Sequence, residues 1–365
     1  MKKHLLCTSA IIGCAMAAPA AAQEWDLDWG GYMNQHVAFA DVGGSLSAGR
    51  DDDGVVFHST TEIIFTPSIT LDNGLTFGIN VQMEGENNGG GAIGIDETYM
   101  SISGDTLGRI DIGSENSAGY KSMVAAPGVT SMYINSPSVS SVIPFSVAYP
   151  GAFRQAGLSA YTEVAGNNDV DRITYYTPSF NGLTVGVSYA RNGAGCNAVT
   201  NCNNVGAVAV LKDVFDIGVN YSQTFGTTSV NIGARYGTGS TDIAGVSDPE
   251  TWGIGAQIGF ADFTVGGHYA ENDNGAANGV TDSEGWSFGV TYDAPGPWAF
   301  EALTFQGETD TGPATADYEA YRIGASRDLG PGVDWDIYAV FVDADNGAGG
   351  DIDGTVLGTA INLSF

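Results

Sequence analysis

From Trp25 onward the chain alternates apolar with small or polar residues at a period of two, in segments of about ten residues bounded by Gly, Asn, Asp or Pro. In Leu75, Phe77, Ile79, Val81 and Met83 one face is apolar, while the interleaved Thr76, Gly78, Asn80, Gln82 and Glu84 are small or polar. The split recurs in Leu183, Val185, Val187 and Tyr189 against Thr184, Gly186, Ser188 and Ala190, and in Trp286, Phe288, Val290 and Tyr292 against Ser287, Gly289 and Thr291. The chain ends on the same pattern, with Leu357, Ile361, Leu363 and Phe365 against Gly358, Ala360, Asn362 and Ser364. A two-residue period is the signature of a β-strand, whose side chains point alternately to opposite faces, so the pattern predicts an all-β fold. A glycine count of 53 in 365 residues suits many short strands joined by turns.

Alternation by itself fits a soluble sandwich as well as a membrane barrel, because each buries one face of its strands. Three further features select the barrel. Short connections such as Asp72-Asn73-Gly74, Asn181-Gly182, Ala261-Asp262, Pro295-Gly296-Pro297 and Gly330-Pro331-Gly332 take turns with long Asp/Asn/Gly-rich ones, which places turns on one rim and loops on the other. Trp25, Trp29, Trp252, Tyr292, Trp298 and Trp335 fall near segment ends, as residues of interfacial girdles do. The chain also stops on Phe365 at the end of a strand. No apolar run of about 18 residues follows the N-terminus, which disfavours membrane helices but not strands of about 9–11 residues. With 12 Lys and Arg against 42 Asp and Glu, a formal charge of -30, the chain lacks the basic clusters that a nucleic-acid partner requires.

The first residues set the compartment. Lys2 and Lys3, an apolar stretch from Leu5 to Met16, and Ala20-Ala21-Ala22 before Gln23 form a secretory leader over residues 1–22, leaving a single barrel domain over 23–365. Ile11-Ile12-Gly13-Cys14 offers a competing lipoprotein box with Cys14 acylated. Cleavage at Gln23 leaves Cys196 and Cys202 in an oxidising compartment, separated by five residues in a polar segment, where a small loop disulfide is expected over half of a zinc site.

A barrel with both termini in the periplasm needs an even number of strands. A direct count gives seventeen, with the doubtful break at Lys212-Asp213. The long connection Thr238 to Glu250 has to be external, which makes Gln223 to Thr227 a periplasmic turn and leaves one strand between Val205 and Tyr221. Ala207, Ala209, Leu211, Phe215, Ile217, Val219 and Tyr221 then share one face, and only Asp213 is out of place, at an interface, a bulge or a subunit contact. The expected count is sixteen.

The longest connection, 118–168, carries Pro127, Pro137, Pro144 and Pro150 and few charges. A loop of that length has a task, and folding inward to narrow the lumen is favoured over an external flap. With apolar residues set against lipid, Glu62, Glu84, Glu97, Arg109, Asp111, Arg172, Arg235 and Arg322 point inward, together with His36, His58 and His268, and Lys121 enters from the loop. An arginine facing lipid at mid-depth costs about 2–4 kcal/mol, which requires the inward placement. Carboxylates on one wall and guanidiniums on the other would set a transverse field across the lumen, and pairing among them or to the loop is the alternative. No G-x-S-x-G, H-E-x-x-H or paired C-x-x-C is present, so no enzyme chemistry is indicated. Asp51, Asp52, Asp53, Asp343, Asp345, Asp351 and Asp353 could bind Ca²⁺ through loop carboxylates, or stand as solvated loops, and their spacing is not that of an EF-hand. No other cofactor is expected.

Four stretches together resemble the general porins of Gram-negative bacteria, of the alphaproteobacterial type: the N-terminal strand around Trp29-Gly30-Gly31-Tyr32, the stretch Thr76 to Glu86, the run Ser103 to Gly113 leading into the long loop, and the terminal Ile361-Asn362-Leu363-Ser364-Phe365. The resemblance implies a sixteen-stranded homotrimer in the outer membrane, among lipid and lipopolysaccharide. It further implies a third loop folded into the lumen, passive diffusion of ions and small hydrophilic solutes, and a final Phe365 read by the barrel-assembly machinery. One departure is that residues 118–164 supply a single acid, Glu163, against Lys121 and Arg154, where relatives often supply several. Two other readings stay open: a sugar-selective channel guided by Tyr120, Tyr133, Tyr149 or Tyr161, and a closed structural or adhesin barrel. The small inward Gly, Ser, Ala and Thr speak against the closed barrel.

Overall fold

The computed structural model describes residues 24–85, 94–133, 139–145, 163–193, 211–273, 282–310, 312 and 314–365. Its strands are β1 (Trp29–Gly43), β2 (Gly54–Phe65), β3 (Ser68–Thr70), β4 (Thr76–Glu84), β5 (Ile95–Gly104), β6 (Gly108–Glu115), β7 (Val170–Tyr176), β8 (Leu183–Asn192) and β9 (Lys212–Phe225). They continue as β10 (Thr228–Ser240), β11 (Glu250–Phe260), β12 (Phe263–Asp273), β13 (Ser283–Asp293), β14 (Trp298–Asp310), β15 (Thr315–Gly330), β16 (Val333–Asp345) and β17 (Asp351–Ser364). Each pairs antiparallel with its neighbours in the chain, except that β2 and β3 lie end to end, and β1 also pairs with β17, from Tyr32 opposite Ser364 to Gly43 opposite Asp353. The sheet therefore closes on itself. Phe365 sits at the seam, where its N–H and carbonyl exchange hydrogen bonds of 3.2 Å with Gly31.

Strands β2 and β3 both pair with β4 and are separated by Thr66 and Pro67. Proline has no N–H to donate to a ladder, so the strand breaks there. The Pro67 carbonyl still accepts the Ile79 N–H at 2.9 Å, and the two pieces act as one stave. Seventeen strands thus make sixteen staves, the expected count.

The doubtful stave is a single strand from Lys212, but its phase is not continuous. Thr238 faces Phe215 and Ser240 faces Lys212, so β9 holds one residue more than β10 at this point. Asp213 takes the left-handed conformation at φ 49° and forms the bulge. The extra residue shifts the pattern by one. Leu211 is therefore buried on the inner side with Val164, Val170 and Val214, rather than sharing the outer face with Phe215 and Ile217. Residues 207 and 209 lie outside the described residues. Asp213 itself is paired with Arg191 and accepts the Tyr189 hydroxyl at 2.7 Å.

The outer face of the wall is apolar and uncovered, with Phe57 at 73%, Phe288 at 52% and Leu357 at 56% exposure. A soluble protein does not leave such a continuous apolar surface in water, and lipid is its solvent. Near the long-loop rim, outward tyrosines donate to carboxylates, Tyr236 to Glu250 at 2.7 Å and Tyr269 to Glu284 at 2.6 Å. Near the short-turn rim the aromatic rings pack on one another, Phe263 on Tyr292 at 4.6 Å and Trp298 on Trp335 at 5.8 Å. These are the two interfacial belts. Replacing Phe288 by Arg is expected to cost about 2–4 kcal/mol of folding free energy in a bilayer. Equilibrium urea unfolding in lipid vesicles checks this, and a change under 0.5 kcal/mol, the scale of a surface substitution, would contradict the lipid assignment.

Candidate functional site

Beyond β6 the chain turns onto the inner side of the wall. Ser117 caps the short helix α1 (Ala118–Ser122) by accepting the Tyr120 N–H at 3.1 Å, and its own N–H donates to Glu163 at 2.8 Å. Close approach is possible because the facing strand residues are glycines. A Cβ on Gly218 would stand 2.5 Å from the Ala118 carbonyl oxygen, and one on Gly233 2.4 Å from that of Ser122. Backbone lying along a wall needs partners for its polar groups, and inward side chains supply them strand by strand. Ala118 N–H donates to Ser188 on β8 at 3.2 Å, Asn220 on β9 donates to the Ser122 carbonyl at 3.2 Å, and Gln257 on β11 donates to that of Ala125 at 2.9 Å. Ala126 N–H donates to Ser287 on β13 at 3.1 Å.

The far end is held by charge. Glu301 on β14 accepts the N–H groups of Val129 at 2.5 Å and Thr130 at 3.2 Å and the Thr130 hydroxyl at 2.6 Å. Arg322 on β15 pairs with Glu301 at 2.7 Å and donates to the Met132 carbonyl. Asp336 on β16 accepts the Ser131 N–H at 2.8 Å and its hydroxyl at 2.9 Å. Met132, Val139, Ile143 and Phe145 then pack on Ala38, Ala40, Tyr318, Val340, Ile352 and Val356, which is the main apolar core.

The second group of charges lies at the start of the segment. Lys121 pairs with Glu115 at 2.8 Å and Glu97 at 3.5 Å, and Arg109 pairs with Asp111 at 2.7 Å. Both cations lie over the Tyr99 ring, Lys121 at 4.7 Å and Arg109 at 5.8 Å. Their side chains are 26% and 45% exposed, while Asp111 and Glu115 behind them are at 1% and 0%. Burial works to lower the Lys121 pKa, but Glu115 and Glu97 outweigh it and hold the amine above its usual range, so it stays charged. Glu62 faces Glu84 directly across β2 and β4.

The remaining guanidiniums of the inward set are engaged. Arg235 is buried against Asp216 and, at 3.5 Å, Glu163, and Arg172 donates to the Asn167 carbonyl at 2.6 Å. Arg172, Arg235 and Arg322 are thus each engaged with backbone or carboxylate, the pairing that stands as the alternative to a transverse field. Asp216, Glu301, Asp336 and Glu115 were not among the residues picked from the sequence. Their signal was the same inward phase, as with Glu301 between outward Phe300 and Ala302. Among the aspartates considered for Ca²⁺, Asp52 pairs with Arg50, Asp53 accepts the Val42 N–H and Asp351 accepts from Ser45. Among the described residues no three or more His, Cys, Asp or Glu side chains are arranged to hold a metal ion. Cys196 and Cys202 lie outside the described residues.

A closed, lipid-facing antiparallel barrel with a polar inner wall defines a transmembrane channel protein. The family model described as Gram-negative porin matches residues 8–349, and the chain belongs to that family of outer-membrane channels for passive diffusion. Among solved structures, an anion-selective porin from Comamonas acidovorans is similar at TM-score 0.62 and 16% identity, over 94% of this chain and 100% of that one. The in-vitro folded OmpT of Vibrio cholerae, in a trimer form, is similar at TM-score 0.60 and 12% identity, over 93% and 99%. A mutant of the Rh. blastica porin follows at 0.57 and 18%, over 93% and 100%. At these identities the likeness concerns the fold. No curated protein sequence matches the chain.

Glu301→Ala would strand Arg322 and the N–H groups of Val129 and Thr130, and breaking such a buried pair costs about 3–5 kcal/mol. Amide exchange at Val129 and Thr130 is expected to accelerate sharply while that of the wall strands holds. Unchanged exchange at both amides would show that Glu301 does not anchor the segment.

Proposed function

We propose that the segment 118–168 is the constriction of a water-filled channel that passes ions and small hydrophilic solutes without selecting among them by binding. The observation that carries this is the ordered run of hydrogen bonds from Ser188 to Asp336, which supports a segment lying across the lumen side of the wall. Arg109 and Lys121, the exposed charges of the cluster, meet passing solutes, with Glu97 and Asp111 buried behind them and Glu62 and Glu84 paired on the neighbouring strands adding negative charge to the same wall. Arg172, Arg235 and Arg322 hold the segment in place. The channel reading leaves no role for an enzymatic reaction.

Residues 1–22 serve as the secretory leader on this reading. The mature barrel sits among lipid and lipopolysaccharide, with Phe365 as the strand end engaged by the assembly machinery. The protomers associate as a homotrimer. Supporting this, Ser59 donates to Gln35 at 2.7 Å on the outer face, with Thr61 beside them, a polar row that favours a protein neighbour over lipid. OmpT of Vibrio cholerae has a trimer form.

Planar-bilayer recording tests the proposal. Conductance is expected to rise linearly with salt and to show no solute-specific block. Replacing Arg109 and Lys121 together by Ala is expected to shift the reversal potential under a salt gradient toward cation preference, while Glu301→Ala raises the conductance. Block by a sugar at low concentration, or absence of conductance from the folded protein, would overturn it.

A further inference from the structure

Two of the three histidines beyond the leader stand directly opposite one another. His36 on β1 faces His58 on β2 in register, their ring centroids are 5.7 Å apart, and the planes are tilted by 34°. Both point to the inner side and are buried, His36 at 0% and His58 at 9% exposure. The Nε2 atom of each is buried without a hydrogen-bond partner. A buried imidazole nitrogen without a partner is unfavourable, and here two of them belong to residues directly opposite one another. The other nitrogen of His36, Nδ1, lies 3.0 Å from the Tyr338 hydroxyl. With the hydrogen on Nδ1 donated to that oxygen, the lone pair is on Nε2, which is the tautomer of an imidazole prepared to bind a metal.

We propose that His36 and His58 form a two-imidazole binding site for a divalent transition-metal ion of the copper, nickel or zinc kind, with water or a solute completing its coordination. Imidazole selects these ions over Ca²⁺ and Mg²⁺, which prefer oxygen. Metal–nitrogen bonds of about 2.0–2.1 Å require the two Nε2 atoms to come within about 4 Å, so binding is accompanied by a turn of the His58 ring toward His36. One ion then satisfies both lone pairs. Asp336 lies in the same row across Ala360, about 10 Å from His36 by strand spacing, and adds negative charge nearby with its Oδ1 buried and unpaired. Among the described residues no third side chain joins them to hold a metal, which makes this an open site of moderate affinity. The inference does not depend on the channel reading.

The test uses the untagged full barrel in detergent, titrated calorimetrically with nickel chloride at neutral pH. Saturable binding of one ion per barrel is expected, weakened at least about tenfold by His36→Ala or by His58→Gln and unchanged by His268→Ala. Copper bound to the unmodified protein should show two nitrogen donors by electron paramagnetic resonance, a readout that needs no variant to fold. No saturable uptake up to about 1 mM, binding that survives in the double variant, or a spectrum with only oxygen donors would each overturn the proposal.

Discussion

A strand in lipid has only other strands to receive its backbone N–H and C=O groups, and an edge left open in the hydrocarbon costs several kcal/mol for each unpaired group. The pairing of β1 with β17 over twelve residue pairs removes the last edge, and the rest of the molecule depends on it. Closure fixes the parity of the staves and brings Phe365 against Gly31. It also gives every strand one face for lipid and one for the interior. A break at Pro67 and a bulge at Asp213 are tolerated because each leaves the ladder on either side intact.

The inner wall poses the opposite problem. A segment crossing it without strand partners must find a donor or acceptor for each backbone group, and side chains of eight staves are spent on that. Glu301 shows how tightly this is arranged: one carboxylate takes two N–H groups, a hydroxyl and the Arg322 guanidinium. Charge buried here is positional. The exposed charge, Arg109 and Lys121 over Tyr99, is displayed on buried acids that keep it fixed. An acidic chain thus presents cations at one part of its interior, which composition would not suggest.

Much of the fold was legible because the constraint of closure writes itself into sequence as a two-residue period. Leu75 to Met83 and Trp286 to Tyr292 declare their outward face, and even parity corrected the count at Lys212-Asp213. Leu211 departs from the expected face, since the residue inserted at Asp213 inverts the phase before it; the misplaced Asp213 marked an irregularity that a bulge explains, but its type does not say on which side the pattern flips. The inward set of charges was legible by the same alternation, and Asp216, Glu301 and Asp336 carry that signal too, each standing between apolar residues of the outward face.

The sequence by itself determined that the chain is a membrane barrel and which side chains face its interior, because face is a local property of a strand. Which of those side chains meet was decided only by the tertiary structure. Arg322 and Glu301 lie on neighbouring staves, but the backbone they hold comes from 190 and 171 residues away, and Arg235 finds Glu163 in the same long segment. Register between distant strands and the path of an irregular segment depend on the closed geometry of the whole wall, and no short-range pattern encodes them.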